Sequence, residues 1–296
     1  MIELPSGVRQ LAAHGPDWQR WVDGLARTAD DALHRWGLRT DGPPTHGTAA
    51  LIVPVRTPEG VPAVVKIGFP DASSEHEHLV LRRWGGHGAV RLLAADPHHR
   101  VVLLERLQPS TLVVRSDVQA CAVVADIYRR IHVPAIPQLR SLTTDVADWL
   151  KIFENLPADA PIPRRLVEHA VTLARELIAD PGTARVLHGD LHYRRVVAAE
   201  REPWLTIAPK PVNGDPHSEL APMLWQRWDE LAGNVRNGVR ARFYSLVDAA
   251  GFDEHRARAW VVVRVVHEAT RELDRGAHAD TATLTRYVTL AKAIQD

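Results

Sequence analysis

The chain has 296 residues, 45% of them hydrophobic, enough to bury a large core in one two-lobed domain or two tightly packed ones. Basic and acidic residues balance at 36 each, so no polybasic surface points to nucleic acid or to an anionic membrane. The single cysteine, Cys121, excludes an intramolecular disulfide and fits a reducing cytoplasm, and no apolar run approaches the roughly 18 residues that a membrane span needs.

The opening Met1-Ile2-Glu3-Leu4-Pro5 has neither a basic region nor an apolar stretch, so no leader is expected. From Asp17 to Trp36, apolar residues at Trp18, Trp21, Val22, Leu25, Ala29, Leu33 and Trp36 follow helical spacing, and the segment from Gly37 to Pro44 ends the pattern. Two β-rich runs, Ala49 to Val55 and Pro62 to Ile67, flank the turn Thr57-Pro58-Glu59-Gly60 and predict a hairpin. Ser74 to Trp84 reads as a helix. Val90 to Ala95 and Val101 to Leu107 read as strands joined by a polar turn at Asp96 to Arg100.

After Leu107 helical patterns dominate. Ser116 to His132 carries an apolar stripe through Val123, Ile127 and Ile131, with Cys121 expected as a buried structural thiol, and Pro134 and Pro137 stop it. Further helices are predicted over Asp145–Asn155, Pro163–Ala179, Glu219–Leu231, Val235–Ala250, Asp253–Arg275 and Thr281–Ile294. The only strands expected in this half are Val196–Ala198 and Trp204–Ile207, around the turn Glu200-Arg201-Glu202. A mainly β first part and a mainly α second part make a two-lobe α+β architecture.

Three local features carry chemistry. Lys66 is one of only four lysines and closes the strand Ala63-Val64-Val65-Lys66. Taken alone it reads as a solvated charge. Kinases place a lysine on such a strand to reach the α and β phosphates of ATP, paired with a glutamate on the next helix. Glu77 and Glu75 both lie there, about 200° apart around the helix. The loop His46-Gly47-Thr48 has one glycine where a phosphate-covering loop has several, and says little alone. His188-Gly189-Asp190, after the apolar Val186-Leu187, has the make-up of a tight turn that presents an acid, as a general base for a hydroxyl requires. His188, Asp190 and His192 do not have the helix-face spacing of a zinc site.

The run His188-Gly189-Asp190-Leu191-His192-Tyr193-Arg194-Arg195 resembles the HGDLHxxN catalytic loop of the aminoglycoside phosphotransferases. The segment Ile207-Ala208-Pro209-Lys210-Pro211 resembles their IDPKP segment. His76-Glu77-His78-Leu79-Val80-Leu81-Arg82-Arg83-Trp84 is similar to the family's HEAxxLRRW pattern and selects Glu77 over Glu75. With Trp36-Gly37-Leu38, Ala89-Val90-Arg91-Leu92-Leu93, Leu103-Leu104-Glu105-Arg106-Leu107 and Gly214-Asp215-Pro216, the resemblance runs from Asp17 to about Leu107 and from Val186 to Arg227. It is specific to the streptomycin 6-kinase and hydroxyurea phosphotransferase group.

The resemblance implies an α+β, bilobal protein-kinase-like fold. Residues 1–107 would form a small β-rich N-lobe. Residues 108–296 would form a large helical C-lobe holding the catalytic-loop-like segment 186–211. It further implies ATP in a cleft between the lobes, contacted by Lys66 with Glu77 and by a hinge at Glu105 to Leu107. The acceptor pocket would lie on the helical lobe, with Trp149, Trp225, Trp228 and Trp260 as aromatic candidates. Asp190 would orient the acceptor hydroxyl and His188 would brace its turn.

Two departures fall on the chemistry. The family's metal-binding asparagine is Arg195 here, and its metal-binding aspartate is Ala208. Neither side chain supplies the hard oxygen that Mg²⁺ takes, so no metal ligand is assigned and Mg²⁺ is left without its usual holders. Arg195 joins Asp190 and His188 as a catalytic candidate. It can place a fixed charge on phosphate oxygens, pair with Asp190 or Glu219, or act with Arg194 to bind an anion. Glu219 is expected in a structural capping role. The expected function is therefore a pseudokinase, or an enzyme repurposed for metal-free chemistry on a small hydroxylated or anionic metabolite. The alternatives are an active ATP-dependent O-phosphotransferase and a structural partner of an active kinase. A monomer or homodimer in the cytoplasm is expected.

Overall fold

Alternating burial along two seven-residue strands sets up the first part of the molecule. The computed structural model describes residues 2–276 and 279–295. The chain begins with α1 (Ser6–Gln10), α2 (Pro16–Arg35), β1 (Arg39–Thr40), β2 (Thr45–His46), β3 (Ala50–Arg56), β4 (Pro62–Gly68), α3 (Glu77–Trp84), β5 (Leu92–Asp96) and β6 (Val101–Glu105). It continues with α4 (Asp117–Ile131), α5 (Leu142–Glu154), α6 (Arg164–Ala179), β7 (Arg185–Leu187), β8 (Val196–Ala198), β9 (Trp204–Thr206) and β10 (Val212–Gly214). Four helices close it: α7 (Ala221–Trp225), α8 (Val235–Ala250), α9 (Glu254–Leu273) and α10 (Thr281–Gln295).

The first of two units comprises Met1–Pro109 and Ala198–Lys210. Its six-stranded antiparallel sheet runs β1-β3-β4-β6-β5, with β2 also on β3. Side chains alternate across a strand with a period of two. Leu51, Val53 and Val55 on β3 and Ala63, Val65 and Ile67 on β4 therefore share one buried face, against which α2 packs Leu25, Ala29 and Ala32. Each such Val, Leu or Ile contributes roughly 1.5–3 kcal/mol by leaving water. Lys66 is one residue out of this register and projects from the opposite face.

The expected lobe boundary at 107 differs from the observed division, which ends the first stretch at Pro109 and adds 198–210. That added segment is held by its own contacts. Val90 N donates to Thr206 O, Thr206 N donates to Gly88 O, and Arg201 donates to Gly86 O and Ala89 O. The same bond at Val90 takes it out of the β5 ladder, so β5 starts at Leu92 rather than at Val90.

The second unit comprises Ser110–Val197 and Pro211–Asp296. On α4 the buried stripe passes through Cys121, Val124, Ile127, Tyr128 and Ile131, one position off Val123. In α9, Val261 to Val266 are all buried, as expected of a helix packed on several sides. The single helix expected over Glu219–Leu231 is interrupted. A 3₁₀ turn over Pro216–Leu220 leads into α7, and a second over Trp228–Leu231 follows Arg227, whose φ is 51°. The cause is Arg242, 1% exposed, whose Nη1 and Nη2 take the carbonyls of Gln226 and Arg227 at 2.6 and 3.3 Å. Those carbonyls are then unavailable to a continuing helix.

The three-residue strands β7 and β10, absent from the sequence expectation, pair antiparallel with Leu187 opposite Val212. Their closeness to α5 requires glycine at 214, because a Cβ there would sit 2.6 Å from Leu142 Cβ. The pair delivers the chain into His188-Gly189-Asp190.

Candidate active site

In the second unit, β7 ends on Leu187 and the next three residues form a turn held by backbone hydrogen bonds. Gly189 has φ 79°, a conformation that a residue with a Cβ seldom takes. The amides of His188 and Gly189 both donate to the carboxylate of Glu219, at 3.0 and 2.6 Å. Asp190 N donates to His188 Nδ1 at 3.2 Å, which puts the His188 ring proton on Nε2. Glu219 is 1% exposed. Burial alone would push its carboxyl up. The hydrogen bond and charge of His132 and the Gly189 amide outweigh that and hold it below its ordinary value. His132 Nε2 lies 3.3 Å from Glu219 Oε2, and Tyr128 Oη donates to the Glu219 carbonyl at 2.7 Å. The expected capping role of Glu219 thus takes a specific form, a buried clamp on the Asp190 turn.

Arg195 and His192 both approach the Asp190 carboxylate. Arg195 Nη2 lies 3.6 Å from Oδ2 and His192 Nε2 lies 3.9 Å from Oδ1. At 3.6 Å the Arg195 contact is Coulombic rather than a hydrogen bond. Of the partners considered for Arg195, this is Asp190 and not Glu219, whose oxygens face the turn. His192 Nδ1 accepts from Arg194 N at 3.3 Å and so shapes the loop between the two.

Below the loop lies a network that the sequence does not announce. The buried Tyr193 donates to Asp117 Oδ1 at 2.8 Å, Arg242 Nε meets Asp117 Oδ2 at 2.6 Å, and the Arg227 guanidinium lies over the Tyr193 ring at 4.9 Å. On a third side, Arg264 Nη2 of α9 donates to Gly189 O at 3.3 Å. Both arrangements join residues far apart in sequence, and no local pattern marks them.

A cavity of about 440 Å³ opens beside Arg194, lined by Val113, Trp225, Arg227, Trp228 and Tyr287 among others. Of the four tryptophans considered for an acceptor pocket, Trp225 and Trp228 therefore face open space. Trp260 is buried and donates to Asp215 Oδ2 at 2.6 Å, a structural role. Trp149 lies flat on His267, ring centroids 3.9 Å apart.

In the first unit the structure brings Lys66 and Glu77 together: Nζ is 2.6 Å from both carboxylate oxygens. Glu75 instead lies 3.6 Å from Arg100. The pair is largely shielded, with side chains 13% and 10% exposed. Glu105 is engaged elsewhere. Its carboxylate accepts from Arg201 at 2.6–3.1 Å and from Arg91 N at 2.7 Å. Burial would push that carboxyl up, and Arg201 with the Arg91 amide brings it below its usual value. The Glu105 side chain is thus committed within the first unit, and Leu107 is half-buried. His46 Nδ1 lies 3.0 Å from Gly47 O, and Gly47 N donates to Ala50 O, so this loop is a tight turn. Ala208 has φ 52°, a left-handed backbone on a residue other than glycine.

Comparison with known proteins gives a consistent result. Residues 35–276 match the family described as aminoglycoside/hydroxyurea antibiotic resistance kinase. The chain is 38% identical to a streptomycin 6-kinase of Streptomyces glaucescens, covering 100% of this chain and 98% of that protein. It is 40% identical to a hydroxyurea phosphotransferase of Kitasatospora aureofaciens, covering 93% and 82%. Among solved structures, the aminoglycoside phosphotransferase APH(4)-Ia superposes with a TM-score of 0.62 at 14% identity, covering 91% of this chain and 99% of that one. The choline kinase LicA from Streptococcus pneumoniae gives 0.61 at 13%, covering 92% and 99%. The bilobal kinase-like fold expected from the sequence is the fold of these structures.

Proposed function

The chain belongs to the aminoglycoside/hydroxyurea antibiotic resistance kinases, and from that premise we propose that it is a small-molecule kinase homologue that keeps the acceptor-orienting turn but has given up efficient Mg²⁺-dependent phosphotransfer. The observation that carries this reading is Arg195, whose guanidinium stands 3.6 Å from the Asp190 carboxylate, where the resembled loop has a metal-binding asparagine. It acts on, or binds, a small hydroxylated or anionic metabolite of resistance or secondary metabolism, in the cytoplasm.

Mg²⁺ takes hard oxygen ligands in a near-octahedral shell. Arg195 offers only N–H donors, Ala208 has no side-chain oxygen, and among the described residues no group of three His, Cys, Asp or Glu is arranged to hold a metal ion. The donor set does not fit the ion. Removing one preorganised electrostatic group from such a site typically costs about 2.7–4 kcal/mol, or roughly 100- to 1000-fold in rate, and two positions are altered.

The residues that remain can still handle a proton. Glu219 and His188 fix the turn, so Asp190 presents its carboxylate without rearrangement. A ligand hydroxyl hydrogen-bonded to Asp190 would be oriented by it and would pass its proton to a carboxylate oxygen as the hydroxyl oxygen becomes nucleophilic. Arg195 sets a positive charge 3.6 Å from that carboxylate. The cavity beside Arg194, with Trp225 and Trp228, supports a ligand of small-metabolite size.

One observation favours a second reading, an active ATP-dependent O-phosphotransferase: the shielded Lys66–Glu77 pair is the arrangement kinases use on nucleotide phosphates. Calorimetry with Mg-ATP separates the two. The double variant Arg195→Asn with Ala208→Asp is expected to bind Mg-ATP measurably more tightly than the native chain. Clear native Mg-ATP affinity, with turnover of an aminoglycoside-like acceptor, would establish the second reading instead.

A further inference from the structure

Arg264 is a buried cation that the fold does not neutralise. It is 9% exposed, its Nε is buried with no hydrogen-bond partner, and among the described residues its one hydrogen bond is the 3.3 Å contact from Nη2 to Gly189 O. Among the described residues it forms no ion pair. A guanidinium does not shed its proton in a protein, and an uncompensated buried charge is strongly destabilising. A single long bond to a neutral carbonyl does not repay that.

The groups around it point the same way. His267, one turn along α9 and so on the same helix face, has its Nδ1 buried without a partner and its ring stacked on Trp149 of α5. Burial, with the charges of Arg264, Arg271 and Arg140, pushes His267 down to about 3, so it is a neutral polar group at physiological pH. Asp145 on α5 feels the field of Arg264 but is itself bonded to Arg140. Among the described residues the cation therefore has a neutral polar neighbour on its own helix and no carboxylate paired with it.

On the reading that the Asp190 turn serves a ligand, we propose that Arg264 anchors an oxyanion subsite beside Gly189, so that the ligand's phosphate-type anionic group supplies the counter-charge the fold omits. Guanidinium donors match such oxygens in geometry as well as charge. Arg264 is then a specificity-determining residue, selecting an anionic ligand and disfavouring a polycationic one.

The test uses the full chain without nucleotide or metal, so that its outcome is independent of any kinase activity. Inorganic phosphate is titrated by calorimetry while the Gly189 amide and the His267 ring are followed by NMR. Both resonances are expected to shift in the native protein. Binding is expected to weaken about tenfold or more in Arg264→Met, which removes a charge-assisted hydrogen bond, and to recover in part in Arg264→Lys. Gly189 and His267 both belong to the second unit, so their shifts separate this subsite from one on the first unit. Glycerol 3-phosphate binding more tightly than phosphate assigns the anion to a hydroxylated ligand; binding no more tightly assigns it to free phosphate. Should Arg264→Met fail to fold, the native titration still decides. Unmoved Gly189 and His267 resonances at millimolar phosphate, or equal affinity in a folded Arg264→Met, would overturn the proposal and leave Arg264 as a prop for the turn.

Discussion

At position 208 an alanine occupies a left-handed backbone, φ 52°, that L residues adopt at a cost of roughly 1–2 kcal/mol and that glycine, asparagine and aspartate accept more readily. The backbone is thus shaped for the residue type that the family pattern has there. Ala208→Gly is expected to raise the stability to chemical denaturation by about 1 kcal/mol, because the relief of strain exceeds the entropy that glycine adds to the unfolded chain. An unchanged or lower midpoint would mean that neighbouring contacts already compensate the strain. Asp190 gives the complementary functional test. Asp190→Asn keeps the shape and removes the charge, so turnover of the native ligand is expected to vanish while its binding persists. Full turnover in that variant would make Asp190 a structural remnant.

The stacked pair on α5 and α9 sets a pH dependence. His267 is held at about 3 in the fold against an ordinary 6.5. Below about 6.5 the unfolded chain takes up a proton that the folded chain refuses, so stability falls as pH drops. By pH 5 this single group costs about 2 kcal/mol relative to pH 8. His267→Phe keeps a ring against Trp149 and is expected to flatten the decline over that interval, as followed by urea unfolding. A slope identical to that of the native chain would show that other groups set it. Asp145, whose carboxyl burial pushes up, works in the opposite sense, since protonation relieves its burial. Elements of this size were largely readable in advance. The hairpin, α2, α4 and α9 follow from residue spacing, whereas it was the resemblance to the family's HEAxxLRRW pattern that picked Glu77 over Glu75. What spacing cannot reveal are decisions made at long range. Arg242 breaks the helix expected after Glu219 by taking carbonyls 15 and 16 residues away. Strands β7 and β10 are three residues long, too short for a period of two to stand out. Arg201, read as part of a turn, occupies the Glu105 carboxylate.

For the molecule as a whole, one thiol reports on integrity. Cys121 is fully buried, its Sγ lies 3.8 Å from the Arg242 carbonyl, and burial pushes it up to about 12. Thiolate, not thiol, reacts with disulfide reagents, so labelling of the native protein is expected to be negligible and to rise only with unfolding of the second unit. Rapid labelling without denaturant would reveal an opening of α4 and α8 that the packing does not suggest. The clamp at Glu219 has a consequence of another kind. It grips the Asp190 turn through the amides of His188 and Gly189, groups that every amino acid but proline provides. The side chains displayed at 190, 194 and 195 are not part of that grip. Such a site works as a socket: its inserts can be exchanged while the mounting stays intact. Lineages that share the mounting can therefore diverge in chemistry through a few exchanged residues, and a designer seeking new reactions on this scaffold should vary the inserts and leave Glu219 alone.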